Sequence, residues 1–336
     1  MIIETATVVW GRSYIEDFFN LSLKSLLTQE NIFYISNRKL IINVIFKESE
    51  KELVNSFLKE EISKYINIIF YSDKYFVGNK YMCHSNIIKF FIKDINEENY
   101  IFFFYPDMIL SKNFLKNILK YEKYDLVFFL APRVIKEKFL KNFDQHKISL
   151  GISEDHLNEF IINNLHIKMQ LMTINSKFFN GAIGWLIQKE PNGLIIKSFH
   201  HTPIIIKKKI INTALINTNV GIDDYLSDFK LTHKAKIIES SQDISWCSLE
   251  EDKPNLYIEA NFEYESVFNW FTQQTTSYQK ENFVKFTTYF SSSDKDLIDL
   301  KKVSYNKNFV KIINQVKNLK IIKLYPKFIK WCKKQF

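Results

Sequence analysis

The sequence predicts an α/β fold in which a mostly parallel sheet is flanked by helices. Short apolar runs alternate with amphipathic segments over residues 1–135, which is the pattern of βαβ units with right-handed crossovers. The run Tyr100–Tyr105 is uninterrupted and ends at Pro106, as expected of a strand buried on both faces. Residues 300–336 combine lysines with apolar residues at helical spacing, and this pattern predicts a basic helical C-terminal segment.

The individual elements follow from periodicity. Runs of β-branched and aromatic residues predict strands, and apolar residues three and four positions apart predict helices. The predicted strands are Thr5–Trp10, Ile41–Phe46, Ile66–Tyr71, the run that ends at Asp107, Asp125–Leu130, Ile204–Ile206 and Ala235–Glu239. The predicted helices are Tyr14–Leu27, Lys51–Ile62, Cys83–Ile92, Asn113–Leu119, Ser153–Ile174 and Phe262–Phe290.

Composition argues against several classes of protein. None of the apolar runs in the 336 residues reaches the ~18 residues that a membrane-spanning helix needs. Three cysteines far apart argue against a disulfide framework or a zinc cluster, and no Walker or G-x-G-x-x-G motif occurs. The first residues lack a basic start and a cleavage site, so we expect no export signal and a cytoplasmic location.

Charge is distributed unevenly along the chain. Residues 300–336 contain eleven lysines and no arginine or acidic residue, so residues 1–299 are nearly neutral although the formal net charge is +9. Lysines on one side and apolar residues on the other fit a helix that lies on an anionic membrane. The same pattern fits a terminal helix that packs its apolar stripe on the domain, and the sequence leaves both alternatives open.

Candidate site residues follow the predicted strands. Asp107 comes directly after the buried run that ends at Pro106, which is where parallel sheets bind ligands. Its carboxylate could hold a divalent metal that bridges nucleotide phosphates, or it could only cap a helix or form an Asx turn. Arg12, Asp73 and Arg133 follow other predicted strands, so a parallel sheet would bring them to the same edge. The two arginines could bind a diphosphate, or their positions could be due to chance.

Two pairs of residues later in the chain are further candidates. His200 and His201 follow an apolar segment and could supply a metal ligand, a phosphate donor or an acid/base group. Because adjacent strand residues point to opposite faces, at most one of them faces a given site, and one could be a purely structural histidine. Asp223 and Asp224 could include a general base that activates an acceptor hydroxyl, or they could only form a favourable first helical turn.

Several short motifs resemble GT-A-type nucleotide-sugar glycosyltransferases, namely TATVVWGRSY, FFFYPDMILS, FFNGAIGW and GIDDYL. More narrowly, WGRSYIEDFFNLSLKSLL, YPDMILS, APRV, SFHHTPIII, GIDDYLSD and IIESSQDIS resemble bacterial glycosyltransferase-like proteins associated with surface-polysaccharide genes. The resemblance covers residues 5–250 and implies a GT-A-like, Rossmann-type sheet. It implies a catalytic domain at 1–255, with a nucleotide-binding half at 1–135 and an acceptor half at 136–255, followed by a helical region at 256–336.

The resemblance also implies roles for single residues. It makes Asp107 the residue that contacts metal and phosphate, and Asp223 or Asp224 the residue that activates the acceptor. The expected contacts to the nucleotide sugar are Trp10, Arg12, Asp73, Asp107, Arg133 and His200, and the expected catalytic residues are Asp223, Asp224 and His201. The family's D-x-D motif has two carboxylates, whereas Tyr105 and Ile109 occupy the positions two residues from Asp107. Mn²⁺ or Mg²⁺ would need another ligand, such as His200 or His201, or the enzyme would work without a metal.

Three functions are compatible with these features. The first is a glycosyltransferase that moves a sugar from a nucleotide sugar to a bacterial cell-surface glycan or a lipid-linked acceptor, with residues 300–336 on the anionic inner face of the plasma membrane. The second is a metal-dependent phosphotransferase or hydrolase that uses the same sheet edge. The third is a nucleic-acid-binding protein that uses the lysine-rich tail. Because the excess of basic over acidic residues is confined to one end and arginine is scarce, we expect no nucleic acid partner.

Overall fold

The computed structural model describes residues 1–179, 184–199, 201–213, 216, 234–253 and 276–318. The strands are β1 (Ile3–Thr5), β2 (Thr7–Val9), β3 (Leu40–Lys47), β4 (Ile66–Tyr71), β5 (Tyr100–Phe102), β6 (Met108–Leu110), β7 (Leu126–Phe129), β8 (Arg133–Ile135), β9 (Trp185–Glu190), β10 (Gly193–Ser198), β11 (Thr202–Lys207), β12 (Ala235–Ile237), β13 (Trp246–Glu250) and β14 (Thr288–Ser291).

The α-helices are α1 (Arg12–Asp17), α2 (Leu23–Leu26), α3 (Gln29–Ser36), α4 (Lys51–Phe57), α5 (Glu60–Ser63), α6 (Lys80–Phe91), α7 (Phe114–Ile118), α8 (Lys136–Asn142), α9 (Gln145–Leu150), α10 (Glu154–Asn163), α11 (Ile167–Gln170), α12 (Ser277–Lys285), α13 (Asp294–Lys302) and α14 (Lys307–Asn318). A π-helical turn, Phe18–Ser22, joins α1 to α2. Short 3-10 helices span Glu48–Glu50, Asp73–Tyr75, Ile92–Asp94, Leu119–Tyr121 and Lys208–Ile210.

The central sheet is mostly parallel. β1 and β2 pair with one edge of β3 in a continuous register, Ile3 opposite Leu40 and Thr7 opposite Val44, so they are two halves of one strand. The order across the sheet is β4, β3, β1/β2, β5, β11, β7, β12. In the described part of this sheet, β11 runs antiparallel to its neighbours β5 and β7, and every other pairing is parallel. The predicted fold class, an α/β fold with a mostly parallel sheet flanked by helices, is confirmed.

The order of the strands defines a crevice. From β1/β2 the chain moves outward to β3 and then to β4, and it returns to the other side of β1 as β5. This reversal between β1/β2 and β5 is a topological switch point, beyond whose carboxyl ends open α/β sheets bind their ligands. The segments that leave the sheet there are Trp10–Arg12 and Phe103–Asp107.

Both faces of the central sheet are covered. Val44 and Phe46 belong to a core shared with Ile15 and Phe18. Ile45, between them, belongs to a second core that includes Ile88 of α6. Alternate strand residues therefore enter opposite cores. This double burial explains why the strands are continuous apolar runs in the sequence.

Two smaller sheets extend the fold. β13 lies between β6 and β8, antiparallel to β6 and parallel to β8. Trp246 of β13 is fully buried and donates its indole N–H to the Leu130 carbonyl at 2.9 Å. In the other sheet, β10 pairs with β9 and β14. The first of these sheets brings three distant segments of the chain to the carboxyl edge of the central sheet.

Some predicted elements differ in the structure. β5 ends at Phe102 instead of reaching Asp107, because the chain turns and Met108–Leu110 then pairs with β13. The predicted helix Ser153–Ile174 divides into α10 and α11, because the intervening residue Leu165 bridges to Val134 of β8. The end of the predicted helix Phe262–Phe290 forms β14, and its residues 262–275 lie outside the described part.

The C-terminal helix α14 packs on the domain. Its apolar residues Phe309, Ile312, Ile313 and Val316 are buried in a cluster with Phe283 of α12. For residues 307–318 the structure therefore shows the domain-packing alternative, and residues 319–336 lie outside the described part. No helix in the described ranges is long and apolar enough to cross a membrane.

Candidate functional site

Asp107 lies in the turn that leads from the central sheet to β6. The Met108 N–H donates to the Tyr105 carbonyl at 3.1 Å, and the Asp107 carbonyl accepts from the Leu249 N–H at 2.8 Å. The Asp107 carboxylate accepts a short hydrogen bond from the Ser248 hydroxyl. The residue is half-buried, so its carboxyl group is partly desolvated. This desolvation raises the pKa of Asp107, and it outweighs the Ser248 hydrogen bond and the charge of Arg133.

An ion cluster lies beside Asp107. Arg133 donates from Nη1 to Glu250 Oε2 at 2.8 Å, and Lys168 Nζ forms a short ion pair with Glu250 Oε1. His166 Nδ1 lies 3.8 Å from the same Glu250 carboxylate. Burial acts to raise the pKa of Glu250, but Lys168 and Arg133 outweigh it and lower that pKa. The cluster therefore holds Glu250 ionised between two cations.

β13 is what assembles this site. Ser248 stands opposite Met108 of β6 and Arg133 of β8, and Glu250 stands opposite Ile135. Ser248 and Glu250 are two positions apart, so their side chains point to the same face of the strand. The sequence analysis missed this strand, although the alternation of Cys247 and Leu249 with these polar residues is its signal.

The turn after β2 forms the other side of the crevice. Trp10 packs its ring edge-on to Phe76, with centroids 5.6 Å apart. Gly11 has φ 85°, which favours glycine, and its N–H donates to Glu50 Oε1 at 2.7 Å. The other oxygen, Glu50 Oε2, is buried and has no hydrogen-bond partner among the described residues. Arg12 is exposed and faces Glu16 at 3.7 Å.

Asp73 lies farther along the same edge. It accepts a hydrogen bond from the Ser49 N–H at 3.1 Å and faces Lys47 Nζ at 3.4 Å. Desolvation acts to raise the pKa of Asp73, but these two contacts outweigh it and lower that pKa. Asp73 follows β4, three strand positions from β5, which corresponds to roughly 14 Å. The structure therefore brings Asp107 and Arg133 together, but not Asp73.

The antiparallel strand β11 brings its first residues to the same edge. Thr202 is paired with Phe129, the last residue of β7. His201, immediately before β11, is therefore at the carboxyl edge, and it is buried. His200, Asp223 and Asp224 lie outside the described residues.

His84 of α6 is another residue that the sequence analysis missed. Its ring lies 5.3 Å from that of Tyr105, and its Nε2 is buried without a hydrogen-bond partner in the described part of the chain. Desolvation lowers the pKa of His84 to about 4, so the imidazole is neutral at pH 7. It is an uncharged polar group next to the turn that carries Asp107.

The described side chains do not form a metal site. Asp107 accepts from Ser248, and both Glu250 oxygens are paired with cations. No cluster of three or more His, Cys, Asp or Glu side chains within the described ranges is placed to hold a metal ion. A metal at Asp107 therefore stays a prediction that requires ligands beyond these residues.

Comparisons with known proteins give weak likenesses. No family model matches the chain, and no curated protein matches it. A crystal structure of S. aureus TarS residues 1–349 in complex with UDP is similar, with 10% identity, a TM-score of 0.39 and coverage of 85% of this chain and 70% of that chain.

Two other solved structures are similar at the same level. The inositol-1-phosphate CTP transferase from T. maritima has 9% identity and a TM-score of 0.35, with 82% of this chain and 98% of that chain covered. Mannose-6-phosphate isomerase from Helicobacter pylori has 13% identity and a TM-score of 0.34, with 74% and 100% covered. Likenesses this low do not decide between functions, so the function has to be inferred from the residues of the site.

Proposed function

We propose that the protein is a glycosyltransferase that transfers a sugar from a nucleotide sugar to a bacterial cell-surface glycan or a lipid-linked acceptor. The observation that carries the proposal is the position of the Asp107 carboxyl group, at the switch-point crevice and beside the Arg133 guanidinium. The carboxyl edge of a parallel sheet at its switch point is a common binding site for nucleotides, and cations at that edge can bind the phosphates. Residues 1–135 would form the nucleotide-binding half and 136–255 the acceptor half, with 256–336 as a separate helical region.

Arg133 and Lys168 are suited to bind the diphosphate. A guanidinium has five N–H donors, and the structure shows one nitrogen of Arg133, Nη1, bonded to Glu250. The other donors can bind phosphate oxygens while Glu250 fixes the plane of the group. Positive charge held in this way stabilises the negative charge that develops on the leaving diphosphate. This step needs no metal, and Mn²⁺ or Mg²⁺ at Asp107 is a separate prediction.

The remaining predicted residues would act on the donor and the acceptor. We assign Trp10, Arg12 and Asp73 to the nucleotide side of the crevice, together with His200. His201, Asp223 and Asp224 would serve the acceptor, with one carboxylate removing the proton from its hydroxyl group.

An anionic membrane surface is the proposed location of a lipid-linked acceptor. The apolar side of α14 is used within the domain, so contact with the membrane would rely on two other features. They are the exposed lysines of α14 and residues 319–336, which contain six further lysines and no acidic residue.

A thermal-shift screen tests the donor part of the proposal. UDP-, GDP-, dTDP- and CMP-sugars are added with Mn²⁺, with Mg²⁺ or with a chelator. A ligand at about 100 times its Kd adds about 2.7 kcal/mol to the free energy of unfolding. We expect one nucleotide family to raise the melting temperature, and Asp107→Asn and Arg133→Gln to reduce that rise.

Arg38→Gln is the matched control for Arg133→Gln. Arg38 is exposed and precedes β3, so it stands at the opposite edge of the sheet, and its loss should leave the shift unchanged. A shift that survives in both site variants would place the nucleotide elsewhere. Release of inorganic phosphate without sugar transfer would instead support the phosphotransferase or hydrolase alternative.

A further inference from the structure

A second cavity lies away from the crevice. It is a groove of about 710 Å³ between α8, α9 and α10, which is within the range of about 300–1,000 Å³ for ligand pockets. Lys112, at the far end of β6 from Asp107, belongs to its wall. Lys112 is five positions after Asp107, so this wall of the groove lies up to about 17 Å from Asp107.

The floor of the groove is aromatic. Phe143 packs against Phe139 and Phe160, with ring centroids 4.9 and 5.4 Å away. Phe160 is buried, whereas Phe143 is half-buried and lines the groove. The groove therefore offers part of an aromatic ring that is fixed in place by its neighbours.

Three asparagines in the wall are oriented by the same kind of hydrogen bond. The side-chain amides of Asn142, Asn163 and Asn164 each donate to the backbone carbonyl four residues earlier, at 2.8, 3.0 and 2.9 Å. One N–H of each amide is held in this way, which leaves the second N–H as a donor and the amide oxygen as an acceptor in a fixed orientation. The chain thus presents a preorganised set of neutral donors and acceptors around the aromatic floor.

Helix α10 adds complementary groups on one face. Glu159 and Phe160 are three and four residues after His156, and Asn163 is four and three residues after them, so all four lie on one face of the helix and line the groove. Glu159 is exposed and forms no ion pair with any described residue. Glu159 therefore adds an acceptor to this wall, while Lys112, Lys147 and the His156 imidazole can donate.

This combination selects a class of ligand. The wall combines neutral amide groups with charges of both signs, so it does not favour a ligand of one charge, and the many polar groups disfavour an apolar peptide. Hydroxyl groups that donate to fixed acceptors, together with C–H groups that lie on an aromatic ring, are the features of a sugar chain. We infer that the groove binds a neutral oligosaccharide.

The groove gives the proposed acceptor a second point of attachment. A glycan several sugar units long could occupy the groove and extend toward Asp107. The identification of the ligand as acceptor or product rests on the proposed function, whereas the binding of an oligosaccharide does not.

Calorimetric titration of the full chain with maltotetraose, cellotetraose and chitotetraose tests the inference. Each sugar is added up to about 10 mM, which is enough to detect a Kd of about 1 mM, or a binding free energy of about −4.1 kcal/mol. We expect at least one of them to bind. The double variant Glu159→Gln/Asn163→Ala should weaken that binding at least tenfold. Phe143→Leu, which keeps an apolar side chain, is a second variant and should also weaken it.

Asn37→Ala is the matched control. Asn37 is exposed on the surface next to α3 and donates to the Phe33 carbonyl at 2.7 Å, so it loses the same type of bond as Asn163. The affinity of the Asn37→Ala variant for the oligosaccharide should equal that of the wild type. Absence of binding by all three tetrasaccharides, or equal binding by the double variant, would overturn the inference.

The same samples separate the inference from the proposed function. If nucleotide sugars raise the melting temperature but no oligosaccharide binds, the inference about the groove is wrong and the proposed transferase function stands. If an oligosaccharide binds in the groove but no nucleotide sugar raises the melting temperature, the proposed transferase function is wrong and the protein is a sugar-binding protein.

Discussion

Two aspartates at the carboxyl edge of the central sheet have opposite surroundings. Asp73 follows β4, has 47% of its side chain exposed and contacts Ser49 and Lys47 from the neighbouring strand connection. Asp107 follows β5 and contacts Ser248, which is 141 residues later in the chain. Local hydrogen bonds and charge lower the pKa of Asp73, whereas desolvation raises that of Asp107.

The comparison shows that position at the edge does not by itself determine chemistry. Both residues satisfy the same rule, a carboxylate after a parallel strand. The difference arises because β13 packs beside Asp107 and brings Ser248 and Glu250 with it, while no strand covers Asp73 within the described part of the edge. If β13 is what distinguishes the two positions, substitutions on β13 should have larger effects than substitutions near Asp73.

Glu250→Gln should have the largest effect, lowering the free energy of unfolding by about 2 kcal/mol. The Glu250 side chain is 13% exposed and is paired with both Arg133 and Lys168. Loss of its charge leaves these two cations without their partner. The effect stays below the about 3–5 kcal/mol of a fully buried pair, because Arg133 is 45% exposed. Urea unfolding measures the difference.

Glu48→Gln is the control near Asp73. Glu48 is exposed and faces Lys51 at 3.9 Å, and an exposed ion pair of this kind contributes about 0–1 kcal/mol. Losses of equal size in the two variants would contradict the distinction between the two regions.

Ser248→Ala should have an intermediate effect, a loss of about 1 kcal/mol. The substitution removes the hydroxyl that donates to Asp107 and leaves a carboxyl group with one partner fewer. Ser56→Ala is the matched control, since its hydroxyl donates to the Leu53 carbonyl at 2.6 Å on an exposed helix surface. Thermal unfolding of both variants measures the contrast, and an unchanged melting temperature for Ser248→Ala would show that the bond does not contribute.

Much of the central sheet was predictable from the sequence. Strand β4 matches its predicted range Ile66–Tyr71, because β-branched and aromatic residues favour a strand. The helix start at Ser153 also agrees, since its hydroxyl accepts from the His156 N–H. These features depend on neighbours in the sequence.

The candidate site was predictable only in part. Asp107 and Arg133 were found because each follows a buried strand. Glu250, Lys168 and Ser248 were missed because their roles depend on the pairing of β13 with β6 and β8, and short strands that pair across more than 100 residues leave only a weak local pattern. The roles of His200, Asp223 and Asp224 stay predictions.

The smallest expected effect is on the pH dependence of stability. Asp107→Asn and Asp73→Asn should change it in opposite directions. The pKa of Asp107 is raised in the folded state, so its stabilisation is fully present below its ordinary value of 3.8 and is lost as pH rises through the raised pKa. Over that window the wild type should lose stability relative to Asp107→Asn.

For Asp73 the sign is reversed. Its pKa is lowered, so its stabilisation is present above 3.8 and is lost as pH falls through the lowered pKa. The wild type should therefore gain stability relative to Asp73→Asn as pH rises toward 3.8. Melting temperatures measured in a chelating buffer from about pH 3 to about pH 7 test both slopes. If both variants changed the slope in the same direction, burial by β13 would not be what separates these two carboxylates.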